Sequence, residues 1–214
     1  MKKQFTFCSI LMMSVFSIAA CNTESKKEVE REDSTSLNKP GIVVSAGTEN
    51  SDTGKVAFDI AKIPVTSKEI GSFPYLSAPV EYKFNDISRS DLKTVHFAVD
   101  GKLIPLEGKT YSSNIYKIQE SESPFNMQVV QRAYHNAITD FGGVQVSTML
   151  LPGQIEKIGK KILEDEGDHA YTIIGANDYT LKHVNTYVIR TTKTEVWIEL
   201  SFYQNGGYIY ILEK

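Results

Sequence analysis

Three β-rich runs close the chain: "NTYVIRT" (Asn185 to Thr191), "EVWIELSFY" (Glu195 to Tyr203) and "YIYILE" (Tyr208 to Glu213). Only short polar turns separate them, so the runs can neighbour each other only as antiparallel hairpins. If Thr192-Lys193 is the first loop, Arg190 faces Glu195, an opposite-charge pair that favours this register. If Asn205-Gly206 is the second loop, a type I′ turn, Tyr203 faces Tyr208, Phe202 faces Ile209, Ser201 faces Tyr210 and Leu200 faces Ile211. Side chains alternate across a strand. One face of the meander is then Tyr187, Ile189, Val196, Ile198, Leu200, Phe202, Ile209 and Ile211, an unbroken apolar set that serves as the core face. The other carries Val188, Arg190, Glu195, Trp197, Glu199, Tyr203, Tyr208, Tyr210 and Leu212.

The rest of the folded part supplies the remaining strands and the cover. In "VHFAVDGKLIPL", Val95, Phe97 and Val99 alternate with His96 and Ala98, and Asp100-Gly101 is a two-residue turn signal. Pro105 has no N–H to give a ladder, which puts the return strand at an edge. "TYSSNIYKI" (Thr110 to Ile118) reads as a third strand. Ser123-Pro124 reads as N-cap and first residue of a helix. Met127, Val130, Tyr134, Ala137, Ile138 and Phe141 recur on one face of that helix, and Gly142-Gly143 ends it. "GVQVS" is a short strand. Ile155, Ile158, Ile162 and Leu163 mark a second amphipathic helix that closes near Gly167. The expected class is α+β: a single domain with an antiparallel-rich sheet and two amphipathic helices, one of them covering the core face.

The start of the chain concerns address. Lys2 and Lys3 precede an apolar or small stretch from Phe5 to Ala20, 16 residues long, where a spanning helix needs about 20. This is the pattern of a signal peptide. Ile18-Ala19-Ala20-Cys21 resembles the lipobox of bacterial lipoproteins. The resemblance implies cleavage before Cys21 and acylation of its sulfur and amino group. One acyl chain holds a bilayer only marginally, so several are needed for stable anchoring. Of the two cysteines, Cys8 leaves with the signal. Cys21 alone remains, which excludes an internal disulfide and a CxxC redox pair. Removing Lys2 and Lys3 takes the net charge from −3 to −5. With no basic block, nucleic acid is not an expected partner. Residues 22–55 are largely polar and read as a flexible tether, of reach about 30–35 Å. The expected organisation is a signal peptide at 1–20, lipidated Cys21 and tether at 21–55, and the α+β domain at 56–214.

Chemistry-bearing motifs are scarce. The four histidines, His96, His135, His169 and His183, fall in no zinc-ligand spacing. "EDEGDH" (Glu164 to His169) departs from a calcium-loop pattern and reads as a solvated helix end. There is no G-x-S-x-G, and Glu195 with Glu199 is a carboxylate pair with no pocket attached. No enzyme, metal or cofactor is expected. Trp197, Tyr203, Tyr208 and Tyr210 are the candidate ligand or partner face, because flat aromatics among polar groups suit a sugar ring or a peptide. The competing reading is that a segment such as "FPYLSAPVEYKF" covers them, since large exposed apolar patches are rare on soluble domains.

"IGSFPYLSAPVEYKF", "VHFAVDGKLIPLEGKTY", "FGGVQVS" and "YVIRTTKTEVWIEL" with "GGYIYILEK" resemble the accessory domain found ahead of peptidoglycan-binding OmpA-like domains in bacterial envelope lipoproteins. The likeness spans about residues 63–214 and brings no catalytic residues with it. The chain reaches Lys214 where the OmpA-like module would begin, so direct peptidoglycan binding is not expected. The functional expectation is an outer-membrane lipoprotein facing the periplasm, held by acyl chains on Cys21 and acting as a non-catalytic module that binds another envelope protein. The alternative is a carbohydrate- or small-ligand-binding lipoprotein that uses the aromatic sheet face.

Overall fold

The computed structural model describes residues 58–118, 123–170 and 178–214. The signal peptide, Cys21, the tether and the expected domain start at residue 56 lie outside these. The described residues belong to one compact unit, Asp52–Lys214. They build a six-stranded antiparallel sheet: β1 (Tyr82–Val99), β2 (Lys102–Lys117), β3 (Val144–Ser147), β4 (Val184–Arg190), β5 (Glu195–Tyr203) and β6 (Gly206–Glu213), in spatial order β1-β2-β6-β5-β4-β3. The helices are α1 (Met127–Asp140), α2 (Gln154–Ile158), α3 (Lys160–Asp165) and α4 (Asp178–Lys182).

The first face of the sheet carries the expected core. Tyr187, Ile189, Val196, Ile198, Leu200, Phe202, Ile209 and Ile211 are all buried there, packed under Val130, Tyr134 and Ile138 of α1. Asn126 caps α1, its side chain accepting from the Val129 N–H at 3.2 Å. The helix therefore starts three residues after the Ser123-Pro124 signal: the side-chain cap lies at Asn126, not Ser123. Gly142, at φ +85, ends it as expected. Phe73, Tyr75 and Leu76 also pack on this face. The Pro-rich segment thus covers the face opposite to the one expected from sequence.

Three further departures concern register and continuity. Arg190 faces Glu195 as expected, but β5 and β6 pair Tyr203 with Gly206, Phe202 with Gly207 and Ser201 with Tyr208. The two-residue loop is Gln204-Asn205. The shift is two residues, so every side chain keeps its face. Gly206 does not have positive φ. It is needed for space, because a Cβ there would lie 2.6 Å from the Tyr203 Oη. The expected second helix is broken at Gly159 (φ 107, ψ 117) into α2 and α3, with Ile155 and Leu163 buried and Ile162 exposed. "TYSSNIYKI" is not a separate strand but the continuation of β2.

That continuity shapes the domain. Asp100 and Gly101 take φ 50 and 78, the two positive values of a type I′ turn. From Lys109 to Ile115, β2 pairs with β6; from Lys102 to Gly108 it pairs with β1 alone, which leaves Pro105 on an unpaired edge. Gly108 sits at the changeover, where a Cβ would come 2.3 Å from the Glu213 carbonyl oxygen. Opposite it, β1 has a register irregularity between Ser90 and Lys93. A bulge beside a crowded glycine bends a strand pair. The outer hairpin folds across the second sheet face, where Val95, Phe97 and Val99 form a second core with Val188, Trp197, Tyr210 and Leu212. Its tip bonds the loop after β3, the Leu151 N–H donating to Gly101 O at 3.1 Å. Phe58 packs edge-on to Trp197 at 5.7 Å, and Arg190 Nη1 donates to the carbonyls of Ile60 and Ile63 at 2.9 Å. The cover of the tryptophan is therefore the folded hairpin and the 58–63 strap.

Trp197 is the only tryptophan and is 2 % exposed. Its emission is expected to be blue-shifted and resistant to acrylamide. Phe97→Ala, which removes its hairpin cover, is expected to red-shift the emission and to lower stability by about 3–5 kcal/mol in chemical denaturation, the usual result of truncating a buried phenylalanine.

Candidate functional site

Beneath the folded hairpin lies the densest group of titratable side chains among the described residues. Gly167, at φ +61, turns the chain out of α3, and the Asp168 N–H returns to Leu163 O at 2.8 Å. This turn carries Asp168 and His169 into the interior, where they are 0 % and 3 % exposed. Glu199, 2 % exposed, reaches them from β5. It lies on the second face, between the inward positions Trp197 and Ser201. The Asp168 Oδ2 accepts from the His96 N–H at 2.9 Å and faces His96 Nδ1 at 2.8 Å. Its Oδ1 accepts from the Ala170 N–H at 2.8 Å and lies 3.4 Å from His169 Nδ1. His169 Nε2 is 2.8 Å from Glu199 Oε1, and Glu199 Oε2 accepts from the Ala98 N–H at 2.8 Å and from Thr186 Oγ1 at 3.3 Å. The His169 ring stacks on Tyr210 at 4.2 Å.

These contacts set the charges. Burial pushes the His169 imidazole down, but the Glu199 charge and the hydrogen bonds to Asp168 and Glu199 outweigh it and bring the pKa to about 9. Burial pushes the Asp168 carboxyl up, yet the His169 and His96 hydrogen bonds, the His169 charge and the Ala170 N–H hold it well below the usual carboxylate range. At neutral pH the centre is an imidazolium between two carboxylates. Such a histidine has no lone pair to accept a proton and cannot act as a general base. Its ring is closed off by Tyr210 and by the edge of Phe97 at 5.6 Å. The arrangement joins β1, β4, β5 and the 168–170 turn; its chemistry is that of a clamp. Donor atoms of His96, Glu166 and Asp168 come within 4.8 Å of one another. Both Asp168 oxygens, however, are already taken by N–H groups, so a metal would have to displace them.

Sequence reading missed this group. Glu164, Asp165 and Glu166 are exposed, as a solvated helix end should be, but the next residues after Gly167 are not. The available signal was Glu199 itself, a charge at an inward position between Trp197 and Ser201, which demands a buried partner. The aromatic face divides in two. Trp197 and Tyr210, 2 % and 4 % exposed, are closed under the hairpin and cannot meet a ligand. Tyr203 and Tyr208, nearer the β5–β6 turn, stay half-buried. Cys21 lies outside the described residues. Of the other histidines, His135 is exposed beside Tyr187, and His183 stacks on Tyr179 at 4.2 Å.

The clamp predicts a pH profile. A histidine whose folded pKa lies near 9, against 6.5 unfolded, adds stability that is complete below pH 6.5 and lost as pH rises to about 9. The loss is on the order of 3 kcal/mol. Asp168, depressed on folding, adds stability present above its ordinary value of 3.8 and lost as pH falls below it. Urea denaturation across pH 4 to 10 should show this fall between pH 6.5 and 9, and His169→Gln should flatten it. No family model, characterised protein or solved structure significantly matches this chain.

Proposed function

We propose that this chain is a lipid-anchored protein of the bacterial envelope, held in the outer membrane through Cys21, whose folded domain is a non-catalytic module that binds another envelope protein. The observation that carries the binding role is a groove of about 520 Å³ between α1 and the segment from Tyr75 to Val80. Leu76, Pro79, Val129, Tyr134 and Phe141 line it. Val80 and Val129 stand at its rim, 89 % and 51 % exposed. Two apolar residues left this open beside an apolar groove mark an interaction site better than a solvated surface. The groove runs between a helix and an extended segment, a shape that accepts an extended apolar stretch of a partner chain. The non-catalytic reading is supported by the clamp, because Asp168, His169 and Glu199 are buried and face one another rather than solvent. The tether of residues 22–55 suits a module that must stand off the bilayer to meet its partner.

A photo-crosslinking residue placed at Val80 in the full lipidated chain in cells is expected to give one discrete protein adduct. The same residue at Lys161, on α3, should give none. Val129→Asp should abolish the adduct without lowering the melting temperature of the purified protein. Loss of position dependence, or an adduct indifferent to Val129→Asp, would overturn the reading. Cys21→Ser is expected to abolish fatty-acid labelling and move the protein to the soluble fraction.

A further inference from the structure

The half of the second face that the hairpin leaves open has its own construction. Tyr203, at the end of β5, faces Gly206 of β6. A Cβ on Gly206 would lie 2.6, 2.7 and 2.8 Å from the Oη, Cζ and Cε2 of Tyr203. The phenol therefore lies across the β6 backbone, and the residue beneath it is glycine for clearance alone, since its φ is not in the left-handed region. A ring laid down on a sheet turns a π face outward. Tyr203 is only half-buried, so that face is reachable. Tyr116 of β2 lies on the same side, and its hydroxyl interacts with that of Tyr203. Tyr208, paired with Ser201 and Asn114, continues the aromatic surface.

The rim is polar and specific. In β1 the register breaks between Asn85 and Ser88, and Asp86 inside the break takes φ +54. A bulge re-aims a side chain that regular pleating would send elsewhere. Here it brings the Asp86 carboxylate to Asn114 Nδ2 at 3.1 Å and Asn85 Nδ2 at 2.9 Å, close enough for its charge to act on the Tyr203 phenol. Asn85 and Asp86 are exposed, and Asn114 is half-buried.

We propose that Tyr203 and Tyr116, with Asp86, Asn85 and Asn114 at their edge, form a binding platform for a neutral saccharide. The ring face accepts the apolar C–H face of a sugar, as aromatic quadrupoles favour weakly positive hydrogens. The carboxylate and carboxamides offer acceptors and donors at the height of the sugar's hydroxyls. An acidic edge disfavours phosphate or sulfate ligands. The polar rim is unlike the apolar groove beside α1, and the two sites lie on opposite faces of the sheet. An open platform rather than an enclosed pocket fits a segment of an oligosaccharide chain, bound over several rings.

The test uses the full chain in detergent and neutral tetrasaccharides of the cello, chito, malto and manno series as probes, read by saturation-transfer NMR and titration calorimetry. One series is expected to bind wild-type protein, with transfer to sugar C–H protons. Tyr203→Ala should weaken binding by about tenfold or more, while Tyr203→Phe keeps most of it. Gly206→Ala removes none of the contacting side chains but displaces the Tyr203 ring, and should weaken binding comparably. Because Gly206→Ala can also loosen the turn, Asp86→Ala provides a second variant remote from it, read with the melting temperature of each. Binding by none of the four series, or equal binding to wild type and Tyr203→Ala, would overturn the proposal. So would a protein adduct formed through a photo-crosslinker at position 203, which would make this surface a protein interface.

Discussion

Glu199 is the residue on which the second half of this fold depends. A carboxylate on the inward face of a central strand is unfavourable unless its charge and lone pairs are met. Here His169 meets the charge at 2.8 Å, and the Ala98 N–H and Thr186 hydroxyl meet the lone pairs. Each of those partners belongs to a different segment. Glu199 therefore specifies where the hairpin crosses the sheet and where the turn after α3 enters the core. Asp168 extends the constraint to His96 on the same hairpin. Apolar packing alone would let Val95, Phe97 and Val99 slide over Trp197 and Leu212; the hydrogen bonds select one position. A buried ionic group used in this way contributes position more than net stability.

The sheet thus supports two cores of different character. The first face is a helix laid on apolar strands, with α1 and the segment around Leu76 covering it; its charged groups, Glu213 and Lys109, stand at its margin against Tyr75 and Phe73. The second is a strand pair folded over the sheet from which it comes. It mixes aromatic rings with an imidazolium and two carboxylates. The bend at Gly108 separates the part of β2 that extends the sheet from the part that caps it. It also decides how far the cap reaches: Trp197 and Tyr210 fall beneath it, and Tyr203 and Tyr208 beyond it. One strand face is divided into an interior and a surface by the length of a hairpin.

Much of this was legible beforehand because it follows from local periodicity. Alternation assigned all eight first-face residues, from Tyr187 to Ile211, and helical spacing assigned Val130, Tyr134 and Ile138. Asp100-Gly101 announced its turn, since two positive φ values are a local property. Where local signals competed, the reading slipped. Asn205-Gly206 looks like a type I′ turn, but the loop is Gln204-Asn205, and the glycine is the cross-strand partner of Tyr203 that leaves room for its ring. Ser123-Pro124 looks like a helix start, but the side-chain cap is at Asn126. The clamp was hidden for another reason. Its members are 72 and 30 residues apart along the chain, and their local contexts, a helix end and a strand, give no sign of one another.

What the sequence by itself determined is the antiparallel meander, the face each of its side chains takes and the helix that covers one side. These depend on periods of 2 and 3.6 residues and on turn chemistry, which act over a few positions. Only the tertiary structure decided which covering segment went to which face, where the long hairpin bends, and which tyrosines remain in reach of a ligand. Those outcomes depend on contacts between residues distant in sequence, such as Gly108 against the end of β6 or Glu199 against His169. Steric exclusion and charge burial act there with no pattern in the intervening chain to announce them.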